Sequence, residues 1–445
     1  MEPKNILKSS ANRLITVLKR FPLAIACSSL TTILIIYFIN LENHIEPAAQ
    51  DDLAQAVMVS ALGFPLFLII RLIYERRDDI KPLQLISIRI LTVILLFLAY
   101  FFLLPELTFL TLTRYIAISL ALYLIFLLVP YFYKRGNFEL YAVKVFYNLL
   151  IAGIYAAVLL AGILIIIFTL NQLLNLPATE YIYASVGLLI LGFFTPTFFL
   201  NKIPQAYQEI KVDEYPDLLK KLVNFIVMPL LTIYTLILYI YFIQILFIWQ
   251  WPEGLVAHLV LWYASLSFII IFLISPFKSE NKWVERFTYW LPKALIPLLL
   301  MMFVAIWIRI NTYGVTENRY FVVVLGLWNI AMALYYILVK KKNNLILPMA
   351  LAILMILAVT GPWSSYSISI YSQSNRFEDI VSKYEMINNN TLIETEKIIA
   401  RDDQDEIEAI LRYFDNYHQL EDLKYLPAEF EIADTEEFFG FTYND

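Results

Sequence analysis

The hydrophobic pattern of this chain is a series of long apolar runs separated by short polar connections. The runs are roughly 17–28 residues long, the length of helix that crosses a hydrocarbon core of about 30 Å. Because backbone groups in lipid must be hydrogen-bonded within the structure, such runs predict helices, whereas the strands of a membrane barrel are about ten residues long. We therefore predict an all-α membrane protein of about eleven spans. The predicted spans are Phe21–Leu41, Leu53–Ile70, Leu83–Leu104, Tyr115–Tyr133, Tyr141–Leu170, Tyr181–Leu200, Leu222–Trp249, Leu255–Ser275, Leu291–Ile310, Tyr320–Val339 and Leu345–Thr360, the last being the shortest.

Composition agrees with this class. Of the 445 residues, 60% are hydrophobic and 16% are charged, against about 45–50% and about 25% in soluble domains. The single cysteine, Cys27, lies inside the first apolar run, so an intrachain disulfide and a cysteine-based metal site are excluded. We keep that run as a span because it is too long for the apolar core of a signal peptide.

The distribution of basic residues predicts the orientation of the spans. The N-terminus and every second connection together carry 24 lysines and arginines. The other connections, up to the end of the membrane part, carry four: Arg114, Arg309, Arg319 and Arg376. Cytoplasmic loops collect basic residues. We therefore predict a cytoplasmic N-terminus and a C-terminal region on the outer side.

Three regions follow: a basic amphipathic segment over 1–20, a transmembrane bundle over 21–360 and a C-terminal domain over 361–445. The first region is either a helix lying on anionic headgroups or a topology signal without fixed structure. Residues 377–445 hold 5 basic and 19 acidic residues, a net charge of −14.

Two helices are predicted in this acidic domain. One has an apolar face, and the other begins near Asp402 or Asp403, which can cap it. Asn388–Asn390 predict the turn after the first helix. Apolar faces indicate a small, mainly helical folded domain. The two faces are Phe377, Ile380, Val381, Tyr384 and Ile387, and Ile407, Ile410, Leu411 and Phe414.

Polar groups at the predicted outer side form the first candidate site. We expect Asn311–Arg319 to pack against Gly361–Arg376, with the acidic domain over both, which gathers arginines that can bind a lipid phosphate or another anion. The alternative is that these residues cap helices and form ion pairs. The candidate residues are Arg309, Asn311, Tyr313, Glu317, Arg319, Trp363, Ser364 and Arg376.

A second candidate site belongs to a different functional class. A multi-span enzyme acting on a lipid-linked substrate, such as a glycosyltransferase, can use carboxylates of its first outer loop as a base or as ligands of a divalent ion. Here those acids are Glu42, Glu46, Asp51 and Asp52. The standard nucleotide-binding, metalloprotease and nucleophile-elbow motifs are absent from the sequence, which favours a non-enzymatic, transporter-like or partner-binding protein over the enzyme. We expect membrane lipid as a partner, and neither cofactor, metal ion nor nucleic acid.

The stretch from Leu222 to Arg376 contains several short motifs between and at the ends of its apolar runs. They are Met228-Pro229-Leu230-Leu231, Tyr234, Tyr239-Ile240-Tyr241, Trp251-Pro252-Glu253-Gly254, Tyr313-Gly314-Val315-Thr316-Glu317-Asn318-Arg319-Tyr320 and Gly361-Pro362-Trp363-Ser364. With these motifs the stretch resembles the domain of unknown function 4153 family, a group of bacterial membrane proteins. The segment Ile407–His418 resembles the C-terminal part of the same family. The resemblance implies a bacterial inner-membrane protein and brings neither an activity nor catalytic residues.

Overall fold

The protein is helical over almost all of the chain that the computed structural model describes. It describes residues 12, 14–41, 46–77, 81–132, 137–174, 179–204, 212–248, 255–389, 391–394, 397–427 and 429–443. The first helices are α1 (Pro22–Leu41), α2 (Pro47–Arg76), α3 (Pro82–Phe102), α4 (Phe109–Phe132), α5 (Phe138–Leu174), α6 (Glu180–Leu189), α7 (Thr195–Asn201), α8 (Asp217–Leu222) and α9 (Met228–Ile248). The others are α10 (Leu255–Ile274), α11 (Lys282–Tyr313), α12 (Glu317–Leu338), α13 (Ile346–Val359), α14 (Ser365–Lys383), α15 (Arg401–Tyr417) and α16 (Thr435–Phe439).

Ten segments of the described chain are long and apolar enough to cross a membrane, and α13 is a shorter apolar helix at the eleventh predicted run. The all-α membrane class is therefore confirmed. Helix α13 runs antiparallel to α12 over its full length. Tyr336 of α12 bonds to Asn344 before α13, and Tyr320 of α12 bonds to Trp363 after it. We call the Trp363 side the junction end of the bundle and the Asn344 side the far end.

Several helices extend beyond the apolar runs that predicted them. The sequence predicts the ninth span from Leu291, but α11 begins at Lys282, where Asn281 accepts a hydrogen bond from the amide of Trp283 at 2.9 Å. Polar residues outside the hydrocarbon can continue a helix, because water satisfies their side chains while the backbone bonds are unchanged. Hydropathy therefore marks the membrane-crossing part of a helix rather than its ends.

The bundle core is centred on α10, the most buried of the candidate spans in the described chain. Asn329 of α12 is fully buried and donates to Ser265 of α10 at 3.0 Å. A polar side chain deep in one span thus joins it to another, as is common between membrane helices. Apolar side chains on α3, α5 and α9 are widely exposed, as suits helices at the lipid-facing edge of the bundle.

Two π-helical turns interrupt the spans: Ile190–Phe194 joins α6 to α7, and Val223–Val227 joins α8 to α9. Pro196 follows the first, and its missing N–H leaves the carbonyl of Gly192 without the usual bond from four residues on. The hydroxyl of Ser28 in α1 donates to that carbonyl instead. A carbonyl released by proline is thus used to join two spans.

The N-terminal segment lies outside the described residues over 1–11. Residues 14–20 are helical. Arg20 forms a bidentate ion pair with Glu75 of α2 at 2.9 Å and 2.8 Å, and also donates to the carbonyl of Ile203 after α7. This geometry fixes the start of the bundle at its far end.

The C-terminal domain has its own core, formed by residues such as Phe377, Phe414 and Phe439. Ile387, expected on the first helical face, lies instead in β1 (Ile387–Asn388), which pairs antiparallel with β2 (Thr391–Leu392). Helix α14 ends at Lys383, and Glu385 has a φ of 57°, which stops helix continuation.

The second predicted helix of the domain is present as α15, but its start differs. It begins at Arg401, and neither Asp402 nor Asp403 is the cap. Asp403 instead accepts hydrogen bonds from Lys383 Nζ and the hydroxyl of Tyr384, both at 2.6 Å. A side chain that joins α15 to the end of α14 is not free to cap its own helix.

Candidate functional site: the junction of bundle and domain

The junction is built around the turn at Gly314, between α11 and α12. Gly314 has φ 67° and ψ −176°, a conformation that is essentially restricted to glycine. A Cβ atom there would lie 2.7 Å from Cδ of Arg376 and 2.8 Å from Nε2 of Gln373. The missing side chain therefore lets α14 approach the backbone of the turn.

Side chains of α14 bind this turn directly. The amide of Val315 donates to Ser372 Oγ at 2.9 Å. Gln373, which is buried, donates to the carbonyls of Tyr313 and Val315, both at 3.0 Å. The backbone groups left unpaired at the end of α11 are thus satisfied by the first helix of the domain. The expected packing of Asn311–Arg319 against Gly361–Arg376 is confirmed.

Two arginines meet on the carbonyl of Tyr313: Arg319 donates to it at 2.9 Å and Arg376 at 2.8 Å. Arg376 also pairs with Glu406 of α15 at 2.6 Å, and Arg309 lies within electrostatic reach of Arg319. Cations at the C-terminal end of a helix interact favourably with its dipole. These contacts match the capping and ion-pairing alternative, and binding of an anion here stays a prediction.

A buried carboxylate lies beside the arginines. Glu317, in the first turn of α12, has a side chain that is 8% exposed. It accepts hydrogen bonds from the hydroxyl of Tyr413 at 2.8 Å and 2.7 Å. His418 Nε2 lies 2.9 Å from Glu317 and 2.9 Å from the Tyr413 hydroxyl. We call Glu317, Tyr413 and His418 the carboxylate node.

The electrostatics of the node keep Tyr413 protonated. Burial, followed by the charge of the Glu317 carboxylate, raises the pKa of Tyr413. The neutral phenol is then the donor and the carboxylate the acceptor, which makes these charge-assisted hydrogen bonds. His418 Nδ1 is buried and has no hydrogen-bond partner among the described residues.

The connection from α13 to α14 adds a third set of contacts. Ser364 is the N-cap of α14, and the carbonyl of the half-exposed Trp363 accepts a bond from Tyr320 at 2.7 Å. The hydroxyl of Tyr366 donates to the carbonyl of Leu110 in α4 at 3.1 Å, and Arg114 lies over its ring. The junction therefore joins the domain to α4 as well as to α11 and α12.

The acids of the alternative site are placed differently. Glu42 lies outside the described residues, and Glu46 is exposed immediately before α2. Asp51 and Asp52 are exposed in the first turns of α2, and Asp52 accepts a bond from Tyr100 at 2.9 Å. Asp52 is thus bonded to α3, and no described hydrogen bond of Glu46, Asp51 or Asp52 reaches the junction. The remaining candidate, Asn311, is exposed at the end of α11.

Sequence reasoning did not assign roles to five residues of the junction. The sequence offered one signal for Tyr413 and His418, which lie in the segment that resembles the family's C-terminal part. Nothing in the local pattern distinguished Glu406 from the many other acids of the domain. The unassigned residues are Ser372, Gln373, Glu406, Tyr413 and His418.

Fold and junction define a multi-pass helical membrane protein with a folded domain packed on one end of its bundle. The chain belongs to the family described as "Domain of unknown function (DUF4153)", whose model matches residues 23–389. It is also similar to an uncharacterized protein of Pasteurella multocida (strain Pm70), with 26% identity over 426 residues, covering 94% of this chain and 68% of that protein. No solved structure matches the chain.

Proposed function

We propose that this protein is a non-enzymatic, partner-binding protein of the bacterial inner membrane, in which the bundle holds the C-terminal domain in one orientation on the outer side. The observation that carries the proposal is the carboxylate node. Hydrogen bonds to a charged group contribute about 1.5–3 kcal/mol each. Withdrawal of Tyr413 and His418 from Glu317 would break such bonds, so it is opposed and the domain stays attached to α12.

The contacts around the node support a fixed orientation. The domain is bonded to the turn after α11, to the first turn of α12 and to α4. A body joined to three helix ends moves with them and cannot swing independently. Such an attachment suits a surface that is presented to a partner in a constant position, because less ordering is then needed on binding.

The chemistry of the proposed partner follows from the exposed side of the domain, which is acidic. Opposite charge steers association and selects partners more than it raises affinity. The partner we propose is therefore a protein segment rich in lysine or arginine. The exposed acids include Asp402, Asp405, Asp415, Glu421, Asp422, Glu429, Glu431, Glu436 and Glu437.

The orientation is tested by cysteine labelling in a Cys27→Ser background. Lys341 at the far end and Asp415 in the domain are both exposed. In intact cells a membrane-impermeant thiol reagent should label Asp415→Cys, and should label Lys341→Cys after the membrane is opened. Labelling of both positions from outside would contradict the proposed topology.

Partner binding is tested by photo-crosslinking in cells. A photoreactive amino acid at Asp405, Asp415 or Glu436 should give one shared protein adduct, and the same probe at Trp262, exposed on α10, should not. With the probe at Asp405, replacing Asp402 and Asp415 by lysine should remove the adduct. Turnover of a lipid-linked substrate by the purified protein, abolished by alanine at Glu42, Glu46, Asp51 and Asp52, would overturn the proposal in favour of the enzyme.

A further inference from the structure

The far end of the bundle contains a polar cavity of about 350 Å³ that is separate from the junction. Its size lies within the range of about 300–1,000 Å³ that is common for small-molecule sites. Residues at the start of α5, at the end of α10 and in the connection between α12 and α13 line it. The 1.5 Å rise per residue along α12, from Glu317 to Tyr336, separates the cavity from the carboxylate node by about 30 Å.

Charged side chains of one sign predominate around this cavity. Lys278, Lys340 and Lys342 line it, and Glu139 is the carboxylate among its described lining residues. Glu139 is engaged by the protein itself, because Asn344 Nδ2 donates to it at 2.7 Å. Among the described lining residues the lysines therefore outnumber the carboxylates by three to one.

The polar floor of the cavity is held in place. Tyr336 donates to Asn344 Oδ1 at 2.7 Å, and both residues are buried. The chain Tyr336–Asn344–Glu139 joins α12, the connection that follows it and α5. Side chains fixed by such a network form a preorganised wall, so little ordering is needed when a ligand enters.

Two of these lysines, Lys278 and Lys342, repel each other. Burial, followed by the charge of Lys278, lowers the pKa of Lys342. A bound anion lying between the two ammonium groups would offset this repulsion and accept charge-assisted hydrogen bonds from both. The geometry therefore favours a ligand that carries a compact negative charge.

Aromatic side chains indicate the level of the cavity relative to the membrane. Thr288, which lines the cavity, directly precedes Tyr289 and Trp290, whose rings are exposed. Lys293 lies 3.5 Å from the centre of the Tyr289 ring. Exposed tryptophan and tyrosine beside lysine are typical of the level of lipid headgroups. A phosphate at this level is most simply the phosphate of a membrane lipid.

We propose that this cavity binds the phosphate of an anionic phospholipid, with Lys278 and Lys342 as its donors and Lys340 at its rim. Glu139, which accepts a hydrogen bond from Asn344, repels an anion in the cavity and so lowers the affinity of the site. This inference does not depend on the function proposed above, because it concerns the opposite end of the bundle.

The test uses delipidated full-length protein in detergent and native mass spectrometry. Phosphatidylglycerol should bind with an affinity that falls about tenfold in Lys278→Gln/Lys342→Gln, and phosphatidylethanolamine should bind more weakly than phosphatidylglycerol. The matched control is Lys282→Gln/Lys341→Gln, which removes two exposed lysines from the same end that do not line the cavity. This control should bind as the wild type does.

A second variant is expected to change the affinity in the opposite direction. Glu139→Gln removes the competing negative charge and should bind phosphatidylglycerol about threefold to tenfold more tightly, so a failure of the lysine variant to fold does not end the test. Equal binding by wild type, lysine variant and control would overturn the proposal. Binding of inorganic phosphate at the lysines without any lipid dependence would overturn the lipid assignment.

Discussion

The hydroxyl of Tyr413 lies 2.8 Å and 2.7 Å from the two carboxylate oxygens of Glu317, a residue 96 positions earlier in the chain. A side chain of the C-terminal domain thereby donates hydrogen bonds to a buried carboxylate in the first turn of α12. The pair crosses from the domain to the bundle, whereas the exposed ion pair of Lys424 with Glu378 lies within the domain and is of a kind that contributes only about 0–1 kcal/mol.

Tyr413→Phe should loosen the domain. The change removes the hydroxyl and keeps the ring, so a buried carboxylate loses a charge-assisted donor, at a cost of about 1.5–3 kcal/mol. We expect faster release of the domain by a protease added to the detergent-solubilised protein, and a lower temperature of unfolding. Tyr417→Phe is the control, since Tyr417 is exposed on the same helix. Equal cleavage of the two variants would count against a role for the node.

Gly314→Ala should disturb the same junction by a steric route. A non-glycine residue in this backbone conformation costs about 1–3 kcal/mol, and the added Cβ would lie 2.7 Å from Cδ of Arg376. Thermal unfolding and proteolysis of the domain should both show the loss. Gly153→Ala is the control, because a Cβ at Gly153 meets nothing within 4 Å. An unchanged Gly314→Ala protein would show that α14 is not held by this turn.

The domain should lose stability in acid through Asp403. Hydrogen bonds from Lys383 and then Tyr384 lower the pKa of Asp403 from its ordinary value of 3.8. A pKa that is lower in the folded state contributes stability above the unfolded value, and this contribution is lost as the pH falls through the folded value. Unfolding followed between about pH 5 and pH 2 should therefore be less pH-dependent in Asp403→Asn than in the wild type. Asp405→Asn, on the same helix, should keep the wild-type dependence.

Gly192→Ala should separate α1 from the π turn it contacts. The added Cβ would lie 1.9 Å from Oγ1 of Thr32, and overpacking of this kind costs about 1–3 kcal/mol. The temperature of unfolding in detergent should fall, and Thr32→Ala in the same chain should restore part of it by removing the clashing hydroxyl. Gly162→Ala, with no atom within 4 Å of its Cβ, should behave as the wild type. A double variant no better than the single one would contradict the steric explanation.

The junction shows which features of a site a local sequence pattern can predict and which it cannot. The turn at Gly314 and the arginines around it could be proposed from sequence, because glycine and clustered basic residues are visible one by one. The hydrogen-bond partners of these arginines could not be predicted. Arg319 and Arg376 both donate to the carbonyl of Tyr313, and a backbone acceptor cannot be identified from residue types. For Asp403 the prediction was wrong. Its residue type is typical of a helix cap, but its side chain accepts hydrogen bonds from Lys383 and Tyr384 at the end of α14.

The sequence by itself determined the membrane class, the order of the apolar runs and the existence of a separate acidic domain. It could do so because a helix in lipid satisfies its backbone within its own segment, so the length and polarity of each run are sufficient. The tertiary structure alone decided that α11 begins at Lys282, that Glu317 meets Tyr413 and His418, and that lysines converge on a cavity beside Asn344. Each of these depends on which helix ends meet in space, and side-chain pairing over some hundred residues is set by packing rather than by neighbours in the chain.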